Sequence, residues 1–519
     1  MIERWSRDQV LALAPDASSK KGAQSVSGPA KWPVAGVMPD VLWGECKGSG
    51  ATPYRACVDL ADTAYRCSCP SRKFPCKHAL GLLLLWSADG VTPADEPPTW
   101  VGEWLEQRRA RAGRKEGAGP PGADGAASPG PDGTGSPGVD ALRPPGAGGA
   151  GPPGAGGAGP PGADGSASRS AAGEAAVTDD GAALLGAAGA GPAGAVAGSS
   201  ADAAARRAAQ REERVMAGLA ELERWLADQI GQGLAGARRD ATARWQELAR
   251  RLVDAQAPGV AGVVSRLPRV LADEDWPSRL LGEYGLLHLL AVGHRHASGL
   301  PGPLRDTIRS RVGFPVSRDD VLAGELVRDV WDVLGRRDDE QDNLTSRRVW
   351  LRGRHTGRFA LVLSFAPPRQ PLDVSLVTGT AVDADLAFYP GASPLRALVA
   401  TRRGPVPAAP PDGTTVSGAL TEIATAVAGD PWTDSWPIVL RPATPARSAG
   451  RWLLTDPPSS TPREDGGESP GMPVHPVAGH PWRLLAVSGG RPVTVAAEWT
   501  PLGLRPFTAW DEEGRLVVL

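Results

Sequence analysis

Twelve residues, Cys67-Ser-Cys69-Pro-Ser-Arg-Lys-Phe-Pro-Cys76-Lys-His78, bring three thiols and an imidazole together, the ligand set of a structural zinc ion. Spacing alone tests whether they can share one. Tyr65 to Cys67 reads as the end of a strand, where residues i and i+2 share a face, so Cys67 and Cys69 can converge. Two residues apart within a helix, Cys76 and His78 would diverge by about 200°. They meet only if Cys76 precedes the helix and His78 lies in its first turn. Pro75 supports that layout, because the residue before a proline, here Phe74, avoids the helical region. The helix then runs over residues 79–86, apolar almost all round, and is expected to be buried.

Residues 54–60 alternate apolar and polar as a half-buried strand, Asp62 marks a turn, and residues 64–67 make the return strand. The prediction is a small zinc-stabilised ββα module with its core at about residues 43–88. The positive end of the helix favours the thiolate form that a metal needs. Three thiolates, a neutral imidazole and a divalent ion sum to one negative charge. Arg66, Arg72, Lys73 and Lys77 surround the site, and no acidic residue occurs from 63 to 88. They offset that charge, and they are also the residues that would meet a phosphate or another partner.

Cys-x-Cys, a six-residue spacer and Cys-x-His, with two short strands before and a helix after, resemble the SWIM-type zinc finger. In that family these four positions are the zinc ligands, so the resemblance implies structural Zn2+ at Cys67, Cys69, Cys76 and His78. It covers residues 46–86. The preceding Trp43-Gly-Glu-Cys-Lys-Gly-Ser-Gly and Thr52-Pro-Tyr-Arg are also similar to bacterial SWIM-domain proteins. The resemblance implies nucleic-acid or protein binding, but the transposase and ATPase domains that often accompany the finger are not recognisable here.

The chain has 519 residues, and a block dense in glycine and proline takes about a hundred of them out of the foldable length, which leaves room for two to four domains. From residue 117 to 200 the sequence is dominated by glycine, alanine and proline, with Pro-Pro-Gly-Ala-Gly-Gly-Ala-Gly at Pro144 and again at Pro152. The collagen register breaks repeatedly, so this is read as a disordered linker that lets the two ends move independently. A net charge of -2 gives no global basic field, so any nucleic-acid contact must be local. With no signal-peptide pattern and no run of eighteen apolar residues, a cytoplasmic protein without membrane contact is expected. Cys46 and Cys57 are then reduced core thiols rather than a disulfide.

Before the finger, Ser6 and Gln9 fit a capping box ahead of Val10, Leu11 and Leu13, while Trp32, Val34, Val37, Val41 and Trp43 offer apolar cover for the metal module. Residues 1–116 thus form the N-terminal region. The arginines from Arg108 to Arg114 flank the linker as a solvated boundary or a nucleic-acid arm. Residues 201–340 read as helical. Val215, Leu219, Leu222, Leu226 and Ile230 form one apolar stripe, and further helices are expected at 260–271, 278–292, 303–311 and 318–334. His288, His294 and His296 do not make a second metal set, because no cysteine or Glu-x-x-His completes it, and His288 is expected in the core.

Residues 341–519 change to strand periodicity, with strands expected at 349–351, 359–365, 372–377, 386–389, 395–400, 438–440, 452–454, 482–487, 492–499 and 515–519. The fold class is therefore multidomain α+β: zinc module, linker, helical region, then a β-rich domain, a barrel or a sandwich. No catalytic motif survives scrutiny. Gly467-Glu-Ser469-Pro-Gly471 has the letters of a nucleophile elbow without its strand and helix, and His475 and His480 lack catalytic partners. A zinc with four protein ligands keeps no open position. The expectation is a recognition module for nucleic acid, or alternatively a protein–protein adaptor, rather than an enzyme.

Overall fold

The Ser6 hydroxyl accepts the Gln9 amide and the Gln9 side chain accepts the Ser6 amide, the capping box that starts α1 (Arg7–Ala12). In the computed structural model the described residues are 4–48, 52–61, 63–71, 73–116, 196–237, 241–341, 344–367, 370, 372–457, 471–478 and 481–519. The Asp16 carboxylate caps α2 (Ala17–Val26). An antiparallel meander of β1 (Val34–Val37), β2 (Val41–Cys46), β3 (Tyr54–Asp59) and β4 (Ala64–Cys67) follows, with β5 (Thr92–Pro93) parallel to β1. Against it lies α3 (Lys77–Ser87), buried from His78 to Trp86. This helix needs no polar stripe, because the sheet covers one side and α1 and α2 another. The expected ββα unit is thus one end of a five-stranded module. Trp32, Val41 and Trp43 are buried as expected, Val37 is partly buried, and Val34 is exposed. Cys46 and Cys57 are buried free thiols.

A second unit, Pro98–Arg169, opens with α4 (Thr99–Glu116). The Gly/Pro/Ala stretch lies outside the described residues up to 195, and its last residues begin α5 (Val196–Gln232). With α6 (Ala241–Asp254), α7 (Pro258–Val270), α8 (Trp276–Arg295) and α9 (Gly302–Val312), α5 encloses one core, built on Val215, Leu219, Leu222, Trp245, Leu252, Val264 and Leu287. Ile230, at the end of the predicted stripe, is exposed. His288 is exposed too, correcting its core assignment. The buried phase of α8 runs through Leu280, Tyr284, Leu287, Leu290 and His294, and an apolar run on both sides of His288 hides that phase in the sequence.

Residues 318–334, read as helix, form only α10 (Arg318–Leu322) before the chain enters β6 (Leu326–Gln341). Val327, Trp331 and Val333 alternate into a core there, a period of two that overrides the helical reading. With β7 (Leu344–Gly353), β8 (Phe359–Ala366), β9 (Ala381–Phe388) and β10 (Arg396–Val406), β6 closes a barrel. The pairs β6–β7, β7–β8, β6–β9 and β9–β10 are antiparallel, whereas β8 and β10 are parallel across Leu361 and Arg396. Counted along the chain, the strands therefore run round the barrel as first, second, third, fifth and fourth.

After α11 (Val416–Gly429), a six-stranded sheet follows in the order β13-β12-β11-β14-β15-β16. Its strands are β11 (Trp436–Ser448), β12 (Arg451–Thr455), β13 (Gly471–Pro473), β14 (Val493–Thr500), β15 (Gly503–Trp510) and β16 (Leu516–Val518). A parallel bridge between Val474 and Leu504 joins the end of β13 to β15. Gly503, at φ +125°, permits this approach, since a Cβ there would stand 2.6 Å from the Pro473 carbonyl oxygen. Residues 482–487, read as strand, are instead α12 (Trp482–Ser488), and 372–377 pair with no strand among the described residues. Apolar runs this short do not separate helix from strand. The sequence reading has no counterpart for α11, β13 or β15.

The N-terminal module is seated on this β-rich body. Val377 of the β8–β9 connection joins the module's core, the Gln9 side-chain Nε2 donates to the Thr378 carbonyl at 3.1 Å, and Arg336 donates to the Ala12 carbonyl. The expectation of a reader tethered apart from the body is corrected accordingly: a linker's composition says nothing about whether the segments it joins dock. Among the described residues, no helix is long and apolar enough to cross a membrane.

A candidate metal centre in the N-terminal module

The β3–β4 hairpin fixes one half of the site. Cys67 ends β4 opposite Ala56, and the Ser68 hydroxyl accepts the Arg55 amide at 2.9 Å while the Ser68 amide donates to the Arg55 carbonyl at 3.0 Å. These bonds hold the chain extended through Cys69, so both thiols leave the hairpin in one direction. The other half comes from the start of α3. Cys76 is the N-cap residue, in extended conformation, with its sulfur accepting the Ala79 amide at 3.5 Å; His78 follows in the first turn. This is the layout that the two-residue spacing demands.

The four ligand atoms lie within 4.8 Å of one another, with the Cys67 sulfur 3.8 Å from the His78 Nδ1. A tetrahedral zinc with bonds of about 2.3 Å has ligand–ligand edges of about 3.8 Å, so the donors fit that ion in kind and spacing. Tyr54 stacks on His78, with ring centroids 4.6 Å apart, and fixes the plane of the imidazole. Hydrogen bonds from Cys67, His78 and the Ala79 amide hold the Cys76 thiol below its ordinary pKa. Cys67 is pushed up by the hydrogen bond it gives Cys76 and by burial, and Cys69 by burial. A divalent cation among them would replace those protons.

Of the basic residues singled out, Arg66 and Lys77 are exposed, and Lys73 is exposed but bound to Asp16 at 2.7 Å; Arg72 lies outside the described residues. The three histidines of the helical bundle do not converge. His294 is buried against Phe314 and reaches Glu212, whereas His288 and His296 are exposed. Among the described residues the Cys/His cluster is the sole group of this kind. Of Gly467-Glu-Ser469-Pro-Gly471, positions 467–470 lie outside the described residues, as does His480, and His475 is buried beside Arg505.

Two family models match the chain. Residues 57–86 match the SWIM zinc finger, and residues 210–312 match the SWIM-associated four-helix bundle domain. The first match spans all four clustered residues and the second spans α6 to α9 with most of α5, so the chain carries a SWIM finger and the helical bundle associated with it. Comparisons with curated proteins and with solved structures give no match.

Proposed function

We propose that Cys67, Cys69, Cys76 and His78 hold a structural Zn2+ and that the module around them binds nucleic acid and is not a catalyst. Four protein donors complete a tetrahedral shell and leave no position for a reacting water. The lysines carry the binding half of this reading. Only seven of the 56 basic residues are lysines; six of these lie between residues 20 and 77, all exposed, and none follows Lys115.

Their placement is local as well. A Cβ on Gly22 of α2 would stand 3.3 Å from the Lys77 Cβ, which sets Lys20 and Lys21 beside the start of α3. The Lys47 amide donates to the Lys31 carbonyl at 2.7 Å, and the Cys46 thiol between them feels both Lys31 and Lys77. Asp16 engages Lys73, but among the described residues no carboxylate pairs with Lys20, Lys21, Lys31, Lys47 or Lys77. Flexible point charges of this kind suit a phosphate backbone.

Oligonucleotide binding by the full chain, measured at two salt concentrations, tests the reading. Affinity should fall steeply with salt, and Lys31→Ala, Lys47→Ala and Lys77→Ala together should lower the salt slope by about one for each phosphate that is no longer neutralised. Binding that ignores both salt and these substitutions would leave the adaptor reading, with a protein as the partner.

A further inference from the structure

The two β-bodies have one connectivity. In the first, β6 to β10 run round the barrel as first, second, third, fifth and fourth, closed by a short parallel pairing of third and fifth. In the second, β11, β12, β13, β15 and β14 follow the same order, and the Val474–Leu504 bridge is again parallel and again joins third to fifth. α12 stands between the third and fourth strands, and each body follows a helix, α10 or α11. Five strands in this Greek-key order are the arrangement of OB folds, which bind oligomers across their second and third strands and the loops joining first to second and fourth to fifth. A fold does not assign a function, so the surfaces have to decide.

They differ between the two bodies. In the first, Trp350 of the second strand stacks on Phe507 and Phe359 of the third meets Trp436 edge-on, both partners belonging to the second body, so that face is an internal interface. Among the described residues, none of that apolar cluster comes from β12 or β13. The second body meets the first there through β11, β14, β15 and β16. At the tip of the β11–β12 hairpin, Arg447 pairs across the strands with Trp452, its guanidinium 5.8 Å from the ring centroid, and Arg451 is exposed beside it. Among the described residues no carboxylate pairs with Arg447 or Arg451. The Trp452 carbonyl accepts the Val474 amide at 2.8 Å, and Val474 bridges to Leu504 next to the turn between fourth and fifth strands, where Leu502 is exposed. The two loops thus border one rim.

We infer that this rim of the second body is a binding site for single-stranded nucleic acid, with a base stacking on Trp452 and phosphates meeting Arg447 and Arg451. A half-buried indole with an exposed guanidinium over its ring and a second beside it, neither paired with a carboxylate among the described residues, complements a strand whose bases are free to stack and whose backbone is anionic. The site stands apart from the finger and does not depend on the reading of the lysines.

The test is fluorescence anisotropy of full-length, zinc-loaded protein with a labelled oligothymidylate and with a duplex of equal length. The double variant Arg447→Ala and Arg451→Ala changes exposed side chains alone and should weaken single-strand binding about tenfold or more. Trp452→Ala should act in the same sense, and Trp452→Phe should restore most of the affinity. Duplex binding should change less, and the loss should persist when Lys31, Lys47 and Lys77 are also alanine. The proposal is overturned if wild-type protein does not bind the single strand, if the arginine variant binds it like wild type, or if the lysine substitutions alone abolish it. Failure of the finger reading would instead appear as lysine substitutions without effect on either oligonucleotide.

Discussion

At Cys76 one sulfur both caps α3, by accepting the Ala79 amide, and stands among the ligands of the candidate metal centre. Two substitutions separate these roles. Cys76→Ser keeps a capping oxygen and removes the thiolate, while Cys76→Ala removes both and should cost a further ~1 kcal/mol. Zinc analysis of purified protein should show the metal lost from either, and from Cys69→Ser and His78→Ala; stoichiometric zinc in those last two would refute the ligand set. His475 makes a second prediction at this scale. Burial, then Arg505 and Arg337, hold its imidazole down at about 4. The ring stands 3.0 Å from the Val477 amide and 3.1 Å from the Arg505 guanidinium, and an imidazolium could accept from neither. The unfolded chain, at about 6.5, takes up its proton first as pH falls. The stabilisation is therefore complete above about pH 6.5 and is lost progressively down toward pH 4. Urea midpoints at pH 7.5 and pH 5 should differ less for His475→Gln than for wild type. The metal residues were legible because their geometry is set by twelve contiguous positions; His475 was not, because the arginines beside it come from two other strands, β6 and β15.

Among the elements, those that read correctly carry a local signal: a capping box for α1, turn-bounded alternation for β3 and β4, apolar residues at spacings of three or four for α7 and α9, and a long apolar run for α8. Those that misread lack one. The first residues of β6 follow a helix start at Ser317, and α12 is seven residues long, too short for its period to show. The finger also makes an elemental prediction. Metal binding is worth about 10–16 kcal/mol in zinc-finger peptides, more than the packing of one short hairpin supplies. Chelating the zinc should therefore deprotect the amides of β3, β4 and α3 to hydrogen exchange and leave α6 to α9 protected. Unchanged protection of α3 after verified loss of zinc would show that docking on the barrel, not the metal, holds this element.

For the whole molecule, the sequence announced a β-rich C-terminal region but not a closed barrel joined to a bridged six-stranded sheet, because the joining residues look like ordinary core aromatics. Trp350 and Phe507 stack with ring centroids 4.5 Å apart, and Gly335 lies beneath Phe507 so closely that a Cβ there would meet its side chain at 2.4 Å. A glycine inside a strand ordinarily weakens it; here it marks where one body presses on the other. Phe507→Ala would open a cavity at that junction and should destabilise the protein by about 3–5 kcal/mol. The shape of the unfolding curve carries further information. If the interface couples the two bodies, the variant should unfold in two steps where wild type unfolds the whole β-rich region in one, because each body retains its own buried core, Trp331 and Leu351 in the first, Leu440 and Val495 in the second. A single transition, shifted by less than about 1 kcal/mol, would mean that the interface adds little and that the two bodies stand on their separate cores.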